Sequence, residues 1–115
     1  MVRRLVFLLV LVLASVGVAP PALATAPTVA VGCDSYGADP GLVLYDCVAV
    51  ASGGVGPYTF RWYRSTILLK TETTDGTSYW SNGCRLGAPP RTITVVVTDA
   101  TGAEATATTT ASCSA

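Results

Sequence analysis

The four cysteines are the residues of this chain that are best equipped for chemistry. They are Cys33, Cys47, Cys84 and Cys113. An even number of cysteines in a short exported chain predicts disulfide bonds. The alternative is a zinc site, but zinc ligands usually come in close pairs such as C-x-x-C, and the gaps here are 14, 37 and 29 positions. We therefore predict two disulfides, no metal site and no free thiol.

The other residue types offer little for catalysis. The chain contains no histidine, which is the most common general base in enzymes, and it lacks a G-x-S-x-G nucleophile motif. A glycosidase needs two carboxylates that face each other across a cleft. The seven carboxylates of this chain are scattered over predicted loops and outward strand positions. We therefore expect a protein that is not an enzyme and has no cofactor.

Two aspartates could bind calcium at the end of a loop. Asp34 and Asp39 flank Tyr36 and Gly37, and their carboxylates together with backbone carbonyls would supply the oxygen ligands that Ca²⁺ takes. Aspartate is also an ordinary turn residue. This second interpretation is the one that we favour, so no calcium site is predicted.

Three aromatic residues are candidates for ligand contact, namely Tyr36, Tyr63 and Trp80. Strand alternation constrains them less than it constrains Phe60 and Trp62, which we expect in the core. An exposed tyrosine or tryptophan can stack on a sugar ring or anchor a protein partner. For Trp80 the competing interpretation, that it covers one end of the core, is favoured.

The first 24 residues are predicted to be a signal peptide. Residues 1–4 are cationic, residues 5–18 form an apolar run, and residues 22–24 supply the small side chains at which signal peptidase cleaves. An apolar run of about 14 residues is shorter than the roughly 20 that span a bilayer. Cleavage after Ala24 leaves residues 25–115 as one secreted domain that is free of the membrane.

Residues 25–115 carry five basic and seven acidic side chains, a net charge of −2. A protein with this charge does not attract nucleic acid or an anionic membrane. We therefore expect neither as a partner, and we expect a monomer. A domain of about 90 residues buries only a modest fraction of its surface, so each disulfide, worth on the order of 3 kcal/mol, matters for stability.

Alternation of apolar and polar residues, rather than a helical period, organises residues 25–115. The predicted inward faces of the three clearest strands are Val43, Tyr45, Cys47, Ala49 and Ala51; Tyr58, Phe60 and Trp62; and Ile93, Val95 and Val97. Arg61 and Asp46 are expected to point outward from these strands. About seven short strands with turns between them predict an all-β, immunoglobulin-like antiparallel sandwich.

Glycine, proline and aspartate mark the connections between strands. The predicted turns or irregular segments are 34–41, 52–57, 82–90 and 99–102. Residues 74–77 suit a two-residue hairpin turn, because Asp-Gly tolerates positive φ, with 66–71 and 78–81 as its strands. The last turn is expected to pair Thr98 with Ala103.

Strand register predicts how the cysteines pair. The register of the last hairpin places Cys113 opposite residue 88, close to Cys84. Cys33 and Cys47 lie on the inward faces of the first two strands, which a hairpin would place side by side. Four cysteines allow three connectivities. We favour Cys33–Cys47 with Cys84–Cys113, and the pairing Cys33–Cys113 with Cys47–Cys84 stays open.

Two stretches resemble polycystic-kidney-disease-type (PKD) and related bacterial immunoglobulin-like domains. They are ASGGVGPYTFRW at 51–62, similar to the passage from the second to the third strand, and TITVVVTDATG at 92–102, similar to the penultimate strand and closing turn. The four cysteines are similar to those of immunoglobulin-like modules in exported actinobacterial proteins. After Trp62 the chain departs from the PKD pattern, because residues 63–66 stand where an Asp-Phe-Gly-Asp-Gly-like turn is common.

The resemblance implies a secreted, non-catalytic module for binding or adhesion, with an extracellular glycan or protein as its ligand. This hypothesis predicts an exposed aromatic cluster on one face of the sandwich or at the loop end that contains Tyr36. The alternative is a structural or inhibitor-like secreted protein, in which a rigid loop at 52–57 docks into a groove of a partner protein. The alternative predicts a protruding, well-ordered loop and no aromatic platform.

Overall fold

A computed structural model of the chain describes residues 25–114, and the predicted signal peptide lies outside this range. The described residues form seven β-strands: β1 Thr28–Asp39, β2 Leu42–Ser52, β3 Tyr58–Arg64, β4 Ile67–Thr74, β5 Thr77–Arg85, β6 Arg91–Thr98 and β7 Glu104–Ala111. In this part of the chain no helix is long and apolar enough to cross a membrane.

The strands form two antiparallel sheets that pack face to face. One sheet has the order β1-β2-β5 and the other has the order β4-β3-β6-β7. Trp62, Tyr45 and Phe60 are the largest fully buried side chains between them. The predicted fold is therefore confirmed: seven antiparallel strands make an immunoglobulin-like sandwich with two disulfides.

The core lies where alternation predicts it. Every residue of the three predicted inward faces is buried, and Phe60, Trp62, Ile93, Val95 and Val97 are completely so. Full burial of a side chain of this size stabilises the fold by roughly 1.5–3 kcal/mol. Asp46 is exposed and Arg61 is half-buried on the opposite side of its strand from Trp62, as strand geometry requires.

Both disulfides have the pairing that register favours. Cys33 and Cys47 are direct cross-strand partners in β1 and β2, with their Cα atoms 4.1 Å apart. Cys84 at the end of β5 bonds to Cys113 just after β7, with a Cα–Cα distance of 5.8 Å. Because β5 and β7 belong to different sheets, the second disulfide joins the two layers, whereas the first joins neighbours within one layer.

The predicted hairpin at 74–77 is wrong, although the turn exists. β4 pairs with β3, and β5 pairs with β2, so the chain crosses from one sheet to the other at this turn. The amide of Ala51 donates to the carbonyl of Gly76 at 2.8 Å, which holds the crossing against the end of β2. An Asp-Gly pair reverses the chain locally, but the partner of each strand is decided by contacts with distant segments.

Two predicted irregular segments are largely strand. β1 continues through 34–39 in register with β2, apart from a bulge near Gly37, and β5 continues to Arg85. Their polar side chains face solvent while pairing with β2 satisfies the backbone, so loop-like composition does not end either strand. The predicted irregular segment is confirmed only for 86–90.

The turn after β6 is one residue longer than predicted. Thr98 pairs with Glu104 rather than with Ala103. Asp99 explains the extra residue, because its carboxylate accepts hydrogen bonds from the amides of Thr101 and Ala103 at 2.9 and 3.0 Å. An aspartate that bonds to the backbone beyond it is a common way to build such a turn.

Candidate functional site

The outer face of the β1-β2-β5 sheet is the candidate site, and we call it the apolar face. Residues 25–114 expose nine large hydrophobic side chains. Five of the nine belong to this face by strand alternation: Tyr36, Leu42, Val48, Val50 and Tyr79. Single exposed apolar residues are ordinary, whereas their concentration on one face makes that face a candidate interaction surface.

Strand register places the members of the apolar face in cross-strand rows. Neighbouring strands lie about 4.8 Å apart, and residues on one face recur every ~6.8 Å along a strand. Each row therefore contains one residue from each of the three strands. Two of the rows are Gly32–Val48–Tyr79 and Tyr36–Leu44–Gly83.

The two glycines in these rows shape the face differently. Nothing lies within 4 Å of the position that a Cβ at Gly32 would occupy, so β1 has a hollow beside Val48. At Gly83 the same position is 3.0 Å from a Leu44 methyl carbon and 3.6 Å from a Leu42 methyl carbon. The leucines thus lie across the backbone of β5 and flatten that end of the apolar face.

A row of polar residues, Asp34–Asp46–Ser81, divides the apolar face, and we call it the polar row. Asp34 and Asp46 are direct cross-strand partners, and the hydroxyl of Ser81 on β5 donates to Asp46 Oδ1 at 2.6 Å. Within residues 25–114 the two salt bridges are Arg61–Glu104 and Lys70–Glu72, so neither aspartate has a basic partner there. Like charges placed directly opposite each other destabilise a sheet.

The charge of Asp46 also acts along the face. It raises the pKa of the Tyr36 phenol above the usual value of 10.0, with a smaller contribution from desolvation. The phenol of Tyr36 and the carboxylate of Asp46 therefore lie close enough to interact across the neighbouring strands β1 and β2. The polar row thus couples electrostatically to the exposed tyrosine on β1.

The structure separates the three aromatic residues singled out from the sequence. Tyr36 lies on the apolar face and is exposed. Trp80 points into the sandwich, where its ring centroid is 5.6 Å from that of Tyr45 and 6.4 Å from that of Trp62. Trp80 therefore covers the core, which is the favoured interpretation. Tyr63 is half-buried in the other sheet, opposite Thr94.

Sequence reasoning missed Tyr79, the most exposed large hydrophobic side chain of the apolar face at 64%. Strand alternation contained the signal. Once Trp80 is assigned to the core, its neighbour Tyr79 must point outward. The partnership of Tyr79 with Val48 had no such signal, because it depends on the pairing of β5 with β2.

The outer face of the four-stranded sheet has different chemistry. It is rich in threonine, and several of its polar groups bond to one another. The hydroxyls of Thr59 and Thr73 lie 3.0 Å apart, and those of Thr94 and Thr108 lie 3.2 Å apart. Arg61 bridges to Glu104 at 2.9 Å. The two outer faces of the sandwich therefore contrast, one threonine-rich and the other apolar.

The inhibitor-like hypothesis uses a loop at 52–57, of which Ser52 is the last residue of β2 and the remainder is tightly held. The hydroxyl of Tyr58 donates to the carbonyl of Gly53 at 2.6 Å. The amide of Val55 donates to Asp99 Oδ2 at 3.1 Å, and the amide of Ala100 donates to the carbonyl of Val55 at 2.7 Å. The side chain of Val55 is exposed at the tip.

Asp99 is the anchor of this end of the sandwich. Its carboxylate accepts bonds from the hydroxyl of Thr101 at 2.7 Å and from three backbone amides. The hydrogen bond from the Thr101 hydroxyl, together with those from the amides, lowers the pKa of Asp99 from 3.8 to about 2. Hydrogen bonds to the ionised form favour that form.

The aspartates considered for calcium do not form a cage in the structure. Asp34 lies in the polar row of the apolar face, and Asp39 lies at the end of β1. Residues 25–114 bring no three histidine, cysteine, aspartate or glutamate side chains into a metal-binding group. The same residues enclose no pocket.

Comparison with known proteins finds solved structures that are similar to part of this chain. No protein-family model and no curated protein matches the chain. An MHC-like protein, MILL2, is similar over 76% of this chain, with 17% identity and a TM-score of 0.46, and this chain spans 34% of it. The CARDB domain of PF1109 from Pyrococcus furiosus is similar over 76% of this chain and 96% of its own length, with 14% identity and a TM-score of 0.38.

Proposed function

We propose that this protein is a secreted, non-catalytic binding module that contacts its ligand through the apolar face. The observation that carries the proposal is the concentration of five of the nine exposed large hydrophobic side chains on one face. A small domain with two disulfides is consistent with an extracellular location. The ligand is then an extracellular macromolecule.

The energetics of binding favour the same face. Tyr79 is 64% exposed and Tyr36 is 45% exposed, so each has apolar area to remove from water on contact. Burial of apolar area contributes about 25 cal/mol per Å², and tyrosine is enriched among the residues that dominate interfaces. The threonine-rich face has fewer exposed large hydrophobic side chains, and several of its polar groups are already paired, so it has less to gain from burial.

The test compares one substitution on each outer face. Val48→Asp places a charge in the middle of the apolar face, and Thr108→Asp places a charge at an exposed site on the opposite face. Both proteins, expressed from the full-length chain through an oxidising secretory route, are applied to a glycan array and to extracellular proteins of the source. We expect Val48→Asp to lose at least about tenfold in binding and Thr108→Asp to bind normally. Equal binding by both would contradict the proposal.

The inhibitor-like hypothesis is the second candidate, and it is supported by the exposed Val55 on a loop bonded to Asp99. The same hypothesis predicts that no aromatic platform is present, and Tyr36 and Tyr79, although exposed on the apolar face, are separated by β2 and the polar row and do not form one. If the loop is the contact, Val55→Asp will abolish binding while Val48→Asp leaves it unchanged. We favour the apolar face.

A further inference from the structure

We propose that the apolar face binds a polypeptide that presents one lysine or arginine among apolar residues, and that Asp34 and Asp46 receive this cation. The inference rests on the proposed function, which places the ligand on this face. It adds the chemical class of the ligand and the residues that select it.

The two carboxylates are placed where a cation is needed. As direct cross-strand partners, Asp34 and Asp46 have Cβ atoms about 5 Å apart. Ser81 supplies a hydrogen bond to one oxygen of Asp46, and neither aspartate has a salt bridge within residues 25–114. Within the described residues no basic side chain offsets the two carboxylates, and a cation between them would do so.

The apolar surroundings make this cation a requirement for binding. On β2, Asp46 lies between Leu44 and Val48 on the same face. A partner that covers these side chains must also take the carboxylates out of water. A buried carboxylate without a cationic partner is strongly unfavourable, and an ion pair strengthens as water is excluded. A purely apolar surface is therefore rejected, and a surface with one cation is selected.

The hollow at Gly32 gives the cation a route to the pair. Gly32 precedes Asp34 by two residues on β1, so both residues are on the same face. The space above Gly32 is open, with Val48 as its cross-strand neighbour. Lysine and arginine bury their aliphatic stems against apolar surface while the charged end reaches a polar group. The stem would lie over Gly32 and beside Val48, with its charge at Asp34 and Asp46.

Two other occupants fit the face less well. A glycan would need flat aromatic surfaces with polar groups around them, but branched aliphatic side chains, Val48 and Val50, lie along the middle strand. A second copy would bring together two faces that each carry three aspartates and one arginine, because Asp39 and Arg85 both lie in the row of Leu42. Symmetric contact of two such surfaces would bury an excess of negative charge between the two copies.

The probe for the experiment is a phage-displayed library of random short peptides, selected on the protein produced from the full-length chain in an oxidising compartment. We expect the selected peptides to share one lysine or arginine flanked by apolar residues. The affinity of one selected peptide is then measured by calorimetry. We expect the double variant Asp34→Asn/Asp46→Asn to weaken it at least about tenfold, and added salt to weaken it as well.

Two further variants complete the design. Asp75→Asn removes a carboxylate from the exposed turn between β4 and β5 and should leave peptide affinity unchanged. Gly32→Val fills the hollow and should lower the affinity for the peptide, while circular dichroism shows that the fold is intact. A loss with Asp75→Asn equal to that of the double variant would show a non-specific charge effect and overturn the inference.

The outcomes separate this inference from the proposed function. Peptides whose binding is lost in Tyr79→Ala but kept in Asp34→Asn/Asp46→Asn would support the apolar face as the binding site. The same result would overturn the inference that the two aspartates receive a cation. Peptides indifferent to both would overturn both. A glycan that binds and is lost in Tyr79→Ala while no peptide is selected, or a dimer in sedimentation that Val48→Asp dissociates, would assign the face to another occupant and overturn the inference alone.

Discussion

The indole nitrogen of Trp62 donates a hydrogen bond to the hydroxyl of Ser78 at 2.9 Å, and this bond joins the two sheets inside the sandwich. Ser78 in turn donates to Glu72 Oε1 at 2.6 Å, and Lys70 Nζ lies 3.1 Å from the same oxygen. Lys70 also donates to the carbonyl of Tyr79 at 2.6 Å. A polar chain therefore runs from the buried tryptophan to the edge strands β4 and β5.

Replacing Ser78 with alanine should destabilise the protein by about 1–3 kcal/mol, because the buried indole N–H of Trp62 loses its acceptor. Ser81→Ala on the same strand removes an exposed hydrogen bond and should change stability by less than about 0.5 kcal/mol. Urea unfolding followed by tryptophan fluorescence measures both changes. Equal effects would show that the bond from Trp62 does not stabilise the fold.

Acid should weaken the fold through Asp99. Its pKa is lowered from 3.8 to about 2 by hydrogen bonds that favour the ionised form. A carboxyl group whose pKa is lower in the folded state contributes stability that is complete above the unfolded pKa and is lost as the pH falls towards the folded value. The advantage of the natural protein over Asp99→Asn should therefore shrink between pH 4 and 2. Thermal unfolding of both proteins across this pH range measures the difference. If their melting temperatures change in parallel with pH, Asp99 is not the group responsible.

Gly54→Ala should be more damaging than Gly41→Ala. Both glycines have positive φ, +61° and +82°, so alanine is strained at either position by about 1–2 kcal/mol. Nothing lies within 4 Å of the added Cβ at Gly41, whereas at Gly54 the Cβ would collide with the carboxylate of Asp99. Denaturant unfolding compares the stability of the two variants. Similar losses of stability would show that the turn around Asp99 can shift to accommodate the added methyl group.

Tyr79 and Trp80 are adjacent in sequence and should respond oppositely to alanine. Tyr79→Ala should change stability by less than about 0.5 kcal/mol and impair ligand binding, because its side chain is on the apolar face. Trp80→Ala should cost about 2 kcal/mol or more, because the ring packs against Tyr45 and Trp62. Chemical unfolding measures stability, and a large loss in Tyr79→Ala would remove this residue from the proposed site.

Much of this fold could be predicted from local patterns in the sequence alone. Strand alternation is a property of the backbone, so the inward position of Phe60, Trp62 and Val95 follows wherever a strand forms there. The cysteine pairing was accessible for a related reason, because register within a hairpin depends on a short turn. The predicted register was wrong by one residue at Thr98, but it still placed Cys113 close to Cys84, and the two cysteines form a disulfide.

The pairing of strands that are not consecutive, β2 with β5 and β3 with β6, was decided only by the tertiary structure. The sequence could indicate that Tyr36 and Tyr79 point away from the core, but not that they share a sheet with Val48 between their strands. The turn at 74–77 is compatible with a hairpin and with a crossing between sheets, and burial of Trp80 against Tyr45 and Trp62 accompanies the crossing. The apolar face exists because β5 pairs with the β1–β2 hairpin, which is distant from it in sequence, and such pairing depends on packing over the whole domain rather than on any local signal.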